Sequence, residues 1–340
     1  MKKTVLFATA AGLMMGASAA TADVTAYGRV LYNIISDDTS DDLYFGRHEF
    51  AESNIGIKGS KKVGDLTLGA QVEIGLNEGV ATLLQNGSNS RNRIQELTLA
   101  GSFGKVGLGT GPSATWVISD VDQSGTWVND PLGMSQRFGA TRRGPGGQSQ
   151  TPFVQTQSIF SERLRYDSPK FLGGAAQIVA QLGEDGSNEI GFKYLKNGLR
   201  ITAWSTSYGD GDNDEDPQAN IDTNEGTPGF FGAEDGAGFL VAYKHSSGLN
   251  INVARGESDL FNGSDREFTN VKLGYTAGKN AFSVSRGDYQ GSSLADHERT
   301  TLAYTASLTG GVKLWAQATK GETVGEESFN AVALGGMVKF

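Results

Sequence analysis

Cysteine is absent from the 340-residue chain, which excludes disulfide staples and thiolate metal sites together. Proline is scarce, at 7 against 48 glycines, a ratio that suits many strands joined by tight turns rather than disordered linkers. Past Asp23 no apolar run approaches the roughly 20 residues that a membrane-spanning helix needs, so no inner-membrane helix is expected. Basic residues are the minority, 29 Lys and Arg against 38 Asp and Glu, for a formal net charge of −9. That balance disfavours nucleic-acid binding, which wants a basic face to neutralise phosphates. The three histidines, His48, His245 and His297, lie far apart in sequence without metal-ligand spacing. Gly101-Ser102-Phe103-Gly104 and similar glycine clusters read as turns, with no strand-to-helix pattern behind them. No catalytic constellation is in view, and no enzymatic activity is expected.

What is there begins with an export signal. Lys2 and Lys3 precede an apolar run from Val5 to Ala20, and Ala20-Thr21-Ala22 supplies the small-x-small pattern of a signal-peptidase site. Residues 1–22 are therefore expected to be cleaved, leaving 23–340 as one domain large enough for a single barrel. At the other end Val332, Leu334, Val338 and Phe340 fall on one face of a period-two segment that stops on an aromatic residue.

Period two recurs along the whole chain. In Leu66–Leu76, Leu66, Leu68, Ala70, Val72, Ile74 and Leu76 face one way, while Asp65, Thr67, Gln71 and Glu73 face the other. Val24–Ile34 and Ala176–Leu182 repeat the arrangement. Further segments at 48–63, 92–103, 104–112, 160–168, 187–196, 198–209, 236–247, 249–257, 266–277, 279–288, 297–309 and 311–320, with the terminal one, make sixteen. A soluble sandwich would show similar alternation. The connections discriminate, because Lys62-Val63-Gly64, Lys196-Asn197-Gly198, Ser247-Gly248 and Gly310-Gly311 are short, whereas the alternate links are expected to run long and polar. Short turns on one rim and long loops on the other define an up-and-down transmembrane barrel. Tyr27, Phe103, Tyr166, Phe171, Tyr208 and Tyr243 near segment ends would supply aromatic girdles.

Four stretches carry a family resemblance: Gly28-Arg29, Ser53-Asn54-Ile55-Gly56-Ile57-Lys58-Gly59-Ser60, Arg165-Tyr166-Asp167-Ser168-Pro169 and Met337-Val338-Lys339-Phe340. The chain resembles the general trimeric porins of Gram-negative outer membranes over nearly all of 23–340. The resemblance implies an all-β, 16-stranded antiparallel transmembrane barrel with short periplasmic turns and long extracellular loops. It further implies a homotrimer among outer-membrane lipids and lipopolysaccharide, passive diffusion of ions and small hydrophilic solutes, and recognition of the strand ending at Phe340 by the outer-membrane assembly machinery. Physics agrees with the barrel, since closure satisfies every backbone group in lipid and sixteen strands leave a water-filled lumen.

Residues 111–159 lack clear alternation and contain Trp116, Val117, Ile118, Trp127 and Val128, too long and too apolar for an ordinary turn. The resemblance makes this segment the third loop, folded into the lumen as a constriction. Its acids Asp120, Asp122 and Asp130 would face a basic wall of Arg29, Lys58, Arg163 and Arg165, setting a field across a narrow throat. Arg29 matches a basic position that the family commonly uses there, while Asn54 and Glu96 stand where relatives often carry basic residues. Asp210, Asp212 and Asp214 open an acidic stretch to Asp235 and echo the start of a calcium loop. Glu215 at the sixth position removes the EF-hand pattern, leaving an acidic extracellular loop or a divalent-cation site, and no cofactor otherwise. The acidic chain predicts a porin with weak cation preference. A substrate-specific channel with Tyr27, Trp204 and Trp315 along the lumen is the alternative within the fold, and a non-conducting exported barrel or binding protein the alternative outside it.

Overall fold

The computed structural model describes residues 23–38, 43–46, 53–76, 90–119, 122–126, 160–183, 186–208, 233–260, 263–292, 296–325 and 328–340. Alternation resolves into strands β1 (Asp23–Asp37), β2 (Tyr44–Gly46), β3 (Asn54–Val63), β4 (Leu66–Leu76), β5 (Ser90–Gly101) and β6 (Gly104–Pro112). A short helix α1 (Trp116–Ser119) precedes β7 (Phe160–Asp167), β8 (Ala176–Gly183), β9 (Asn188–Lys196), β10 (Leu199–Ser207) and β11 (Ala233–Lys244). The wall is completed by β12 (Leu249–Leu260), β13 (Asp265–Ala277), β14 (Asn280–Gly291), β15 (His297–Ser307), β16 (Val312–Thr323) and β17 (Phe329–Lys339).

Every neighbouring pair is antiparallel, and β1 closes the sheet by pairing with β17 through Arg29↔Lys339 to Asp37↔Ala331. On its other edge β1 pairs with β3 at residues 23–29 and with β2 at residues 33–35. The two pieces β2 and β3 thus share one place in the wall, and the barrel has sixteen staves. This corrects the single strand expected over 48–63, which begins at Asn54 after the separate piece at Tyr44–Gly46.

The alternation is inside out relative to a soluble protein. Val30, Tyr32, Ile34, Leu68, Leu97, Leu108, Leu182, Leu302 and Leu334 are exposed on the outer face, where lipid takes the place of water. Among the described residues no helix is long and apolar enough to cross a membrane; the strands do the crossing.

Turns on one rim follow local chemistry. Asn197 and Gly198 between β9 and β10 have φ of 52° and 80°, the left-handed pair that a two-residue type I′ hairpin requires. That rim also holds the two-residue links 64–65, 102–103 and 278–279, but 168–175 is longer, with Phe171 bridged to Ala176. On the opposite rim the expectation of uniformly long loops is corrected: 184–187, 261–264, 292–296 and 324–328 are short, and the length is concentrated in 77–89, 113–159 and 208–232. Phe103, Tyr166, Phe171 and Tyr243 do form an outward aromatic band at the short-turn rim, with the Tyr166 hydroxyl donating to the Phe103 carbonyl at 2.7 Å. Tyr27 and Tyr208 leave the girdle, because both point inward.

The seam is stitched across a missing side chain. Asn33 of β1, Gly335 of β17 and Trp315 of β16 lie in one row, and Trp315 Nε1 donates to Asn33 Oδ1 at 2.9 Å over the glycine. A Cβ on Gly335 would collide with that indole nitrogen. Phe340 adds two backbone bonds to Gly28, at 2.9 and 3.0 Å, and lays its ring over Gly28, where a Cβ would lie 2.6 Å from Phe340 Cζ.

Candidate functional site: the lumen and its inward loop

After Pro112 the chain turns into the barrel. Ser113 caps α1, its Oγ accepting from Trp116 N at 3.1 Å, so the loop starts as a fixed turn. Ala114 N donates to Gln181 Oε1 at 2.9 Å, and Thr115 donates through N and Oγ1 to Glu189 Oε2 at 2.8 and 2.7 Å. Ile118 lies on Gly191, where any Cβ would collide with Ile118 Cδ1. Ala114 and Ile118 join Val179, Trp204, Leu240, Phe268 and Tyr289 in a buried cluster. Those wall residues face the lumen and are apolar because the loop, not water, covers them.

The next described stretch continues around the wall. Gln123 donates its N to Asn252 Oδ1 at 2.8 Å and its Nε2 to the carbonyls of Gly198 and Ala242 at 2.8 and 3.2 Å. Thr276 Oγ1 donates to Ser124 O at 3.2 Å, and Thr126 reaches Ser283 at 2.7 Å. Residues 113–119 and 122–126 therefore lie inside the barrel, with contacts from β8 to β14 that reach down to the β9–β10 turn.

Asp122 is part of this anchoring. Its Oδ2 meets Lys272 Nζ at 2.7 Å with both side chains fully sealed from solvent, and its Oδ1 accepts from Ser124 N and Oγ at 2.8 and 2.6 Å. The expectation that Asp122 presents its charge across the throat is corrected: the carboxylate is neutralised by the wall it touches. Asp120 and Asp130 lie outside the described residues, as do Asp210, Asp212 and Asp214. Among the described residues no three potential metal ligands converge.

The expected basic wall is on the lumen side: Arg163 and Arg165 stand two apart on β7 and both donate to the Pro112 carbonyl, while Lys58 and Arg29 stand on β3 and β1. Arg163 is buried against Glu96 at 2.8 Å and donates to the carbonyls of Gly109 and Pro112. Its guanidinium and the Glu96 carboxylate lie flat over β6, which is glycine at 107, 109 and 111; a Cβ on Gly107 would collide with Glu96 Oε1. Arg165 grips Asp167 with two bonds, at 2.9 and 3.0 Å. Lys58 sits 5.5 Å from the Tyr27 ring centre, and Tyr27 donates to Glu73 Oε2 at 2.8 Å, while Glu73 Oε1 accepts from Arg93 Nε at 2.7 Å. Arg29 is half-buried on the lumen face of the seam, opposite Lys339, which is in Coulombic reach of both Arg29 and Lys313.

Lys193, Lys244, Lys272, Arg299, Lys313 and Lys339 also face inward, and sequence reasoning passed over them. The signal was available: Lys272 stands between the outward Val271 and Leu273, so alternation alone puts it inside. Glu73, Glu96, Asp122 and Asp167 are each held by a lumen base, and Glu189 by the loop. Lys193, Lys244, Lys313 and Lys339 have no carboxylate within ion-pair distance among the described residues.

Acids instead gather outside. Toward the long-loop rim the outer face of β12–β16 carries Glu257, Asp259, Asp265, Glu267, Asp288, Glu298 and Glu322. Interspersed are Arg255, bound to Glu267 at 2.6 Å, Arg286, bound to Asp288 at 3.4 Å and Glu298 at 2.5 Å, and Lys320, bound to Glu322. The chain is acidic overall, yet the described lumen is basic.

A closed sixteen-stave barrel, apolar outside, polar inside and entered by its own loop, is the architecture of a membrane channel. A family model for the Gram-negative porins matches residues 8–326, and the chain belongs to that family. The anion-selective porin from Comamonas acidovorans superposes with a TM-score of 0.67 at 16% identity, covering 94% of this chain and 100% of that one. OmpT of Vibrio cholerae in its trimer form gives 0.61 at 15%, covering 94% and 100%. Salmonella typhi OmpF, solved with daunomycin, gives 0.59 at 13%, covering 93% and 97%. No curated protein sequence matches the chain. The protein is an outer-membrane channel of the porin fold.

Proposed function

We propose that the protein is a general diffusion porin for small hydrophilic solutes that favours anions over cations. The observation that carries this reading is the sorting of charge by face. The lumen acids Glu73, Glu96, Asp122 and Asp167 are held by neighbouring bases and Glu189 by the loop, while Lys193, Lys244, Lys313 and Lys339 keep positive charge along the water-filled path, where a field acts on a passing ion. Whole-chain acidity, which predicts cation preference, counts outward carboxylates that no permeating solute meets. The name of the Comamonas porin, an anion-selective channel of the same fold, is in keeping with this polarity. Export through a cleaved leader at 1–22, assembly through the strand ending at Phe340, a homotrimeric state and lipopolysaccharide as a neighbour complete the reading. The trimer form of the Vibrio relative supports the oligomer.

Liposome swelling tests it. Vesicles carrying the purified protein should admit small anionic solutes such as gluconate faster than neutral sugars of similar size, and those faster than amine cations. Equal rates for both charge signs would refute the preference, and impermeant vesicles containing folded barrel would refute the channel. Chemical cross-linking in the same membranes should give a three-subunit band.

A further inference from the structure

Four cations meet at the short-turn mouth of the lumen between β7 and β10. Lys193 on β9 is within Coulombic reach of Arg165, Lys170 and Arg200, and of one carboxylate, Asp167. Lys193 pairs with Thr202 of β10, two positions from Arg200, and with Gln177 of β8, so the β9 and β10 bases are diagonal neighbours on one face. Lys170 comes from the link 168–175. Asp167 is already occupied at both oxygens, Oδ1 by Arg165 Nε at 2.9 Å and Oδ2 by Arg165 and Lys105, each at 3.0 Å. Lys193 and Arg200 are half-buried. Like charges held together on a partly desolvated wall repel, and the one carboxylate within reach of Lys193 is already shared by Arg165 and Lys105.

We propose that Arg165, Lys170, Lys193 and Arg200 form a subsite for a small multivalent oxyanion, a phosphate or a polycarboxylate, at the short-turn mouth of the channel. The proposal rests on the anion-preferring reading above. The Arg200 guanidinium and the Lys170 and Lys193 ammonium groups bring positive charge to the mouth, and Arg165, whose Nε and Nη2 hold Asp167 and whose Nη1 donates to the Pro112 carbonyl, adds its charge behind them. Chloride can satisfy one of these groups at a time, whereas an anion with several charged oxygens engages three or four together and is retained on its way through.

The test is the chloride current of the native protein in planar bilayers, with inorganic pyrophosphate or citrate added to both chambers and the reversal potential recorded in the same membranes. Reversible, concentration-dependent block is expected. In Lys193→Gln and in Arg200→Gln the half-blocking concentration should rise about tenfold or more, the effect of removing one charge-assisted hydrogen bond to the anion. A chloride-preferring channel that neither anion blocks overturns the subsite and leaves the anion preference standing. Block unchanged in both variants also overturns it. Potassium preference in the native channel overturns the underlying reading and the subsite with it. Heat-modifiable migration of each variant verifies the barrel; should Arg200→Gln fail to fold, Lys193→Gln alone decides.

Discussion

Asp122 and Lys272 are 150 positions apart in sequence and 2.7 Å apart in the barrel, with neither side chain reached by solvent. This pair ties the first part of the inward loop to β13. Removing one partner of a buried pair leaves an uncompensated charge, which costs about 3–5 kcal/mol. Lys272→Met should therefore free the loop from the wall while leaving the barrel closed. Single-channel records should show raised conductance and added open-channel noise, and the double variant Asp122→Leu/Lys272→Met should be quieter than the single one. Unchanged conductance and noise in Lys272→Met would remove the pair from any role in positioning the loop.

The seam gives a prediction about stability. Gly335→Val puts atoms where Trp315 donates to Asn33, in collision with the indole nitrogen. Overpacking of this kind costs about 1–3 kcal/mol, and the hydrogen bond breaks with it. The urea midpoint for loss of the heat-modifiable band should fall, with a red shift in tryptophan emission. A midpoint equal to the parent's would mean that β17 accommodates the side chain without disturbing closure.

Glu96 tests charge compensation in the lumen. It pairs with Arg163 at 2.8 Å over the glycines of β6. Glu96→Gln keeps the shape and removes the negative charge, so anion preference should rise. Conversely, Lys244→Glu and Lys313→Glu on the lumen face should each lower it. Permeability ratios that ignore all three substitutions would show that the current runs elsewhere than along this wall.

The loop's apolar underside offers a separate test. Gly191→Leu would collide with Ile118, whose Cδ1 occupies the place of an added Cβ. Displacing Ile118 uncovers Val179, Trp204 and Leu240, and each large apolar side chain so exposed costs about 1.5–3 kcal/mol. Proteolysis of the loop in intact vesicles should accelerate while the barrel stays folded. Protection equal to the parent's would contradict the packing of α1 on β9.

Much of this barrel is legible in the amino-acid sequence. The strands 66–76 and 104–112 read residue for residue, because one face meets lipid along their whole length. The faces of Arg29, Lys58, Arg163 and Arg165 follow from the same alternation. Pairing partners are not legible, since period two fixes which face a residue takes and says nothing of what lies 150 positions away against it. Val179, Trp204 and Leu240 break the polar inner face for the same reason, as residues covered by a loop rather than by water. The split of β2 from β3 is a local departure that alternation spans without notice. Net charge sums both faces and does not say which a solute meets; only the register separates Lys272 and Lys313 inside from Glu298 and Glu322 outside.

The most direct test of a basic lumen is the reversal potential of the native protein in a planar bilayer across a potassium chloride gradient. A basic lumen predicts a reversal potential of the sign set by chloride. A reversal potential set by potassium would contradict the basic lumen as the filter, and a folded barrel passing no current would contradict the channel itself.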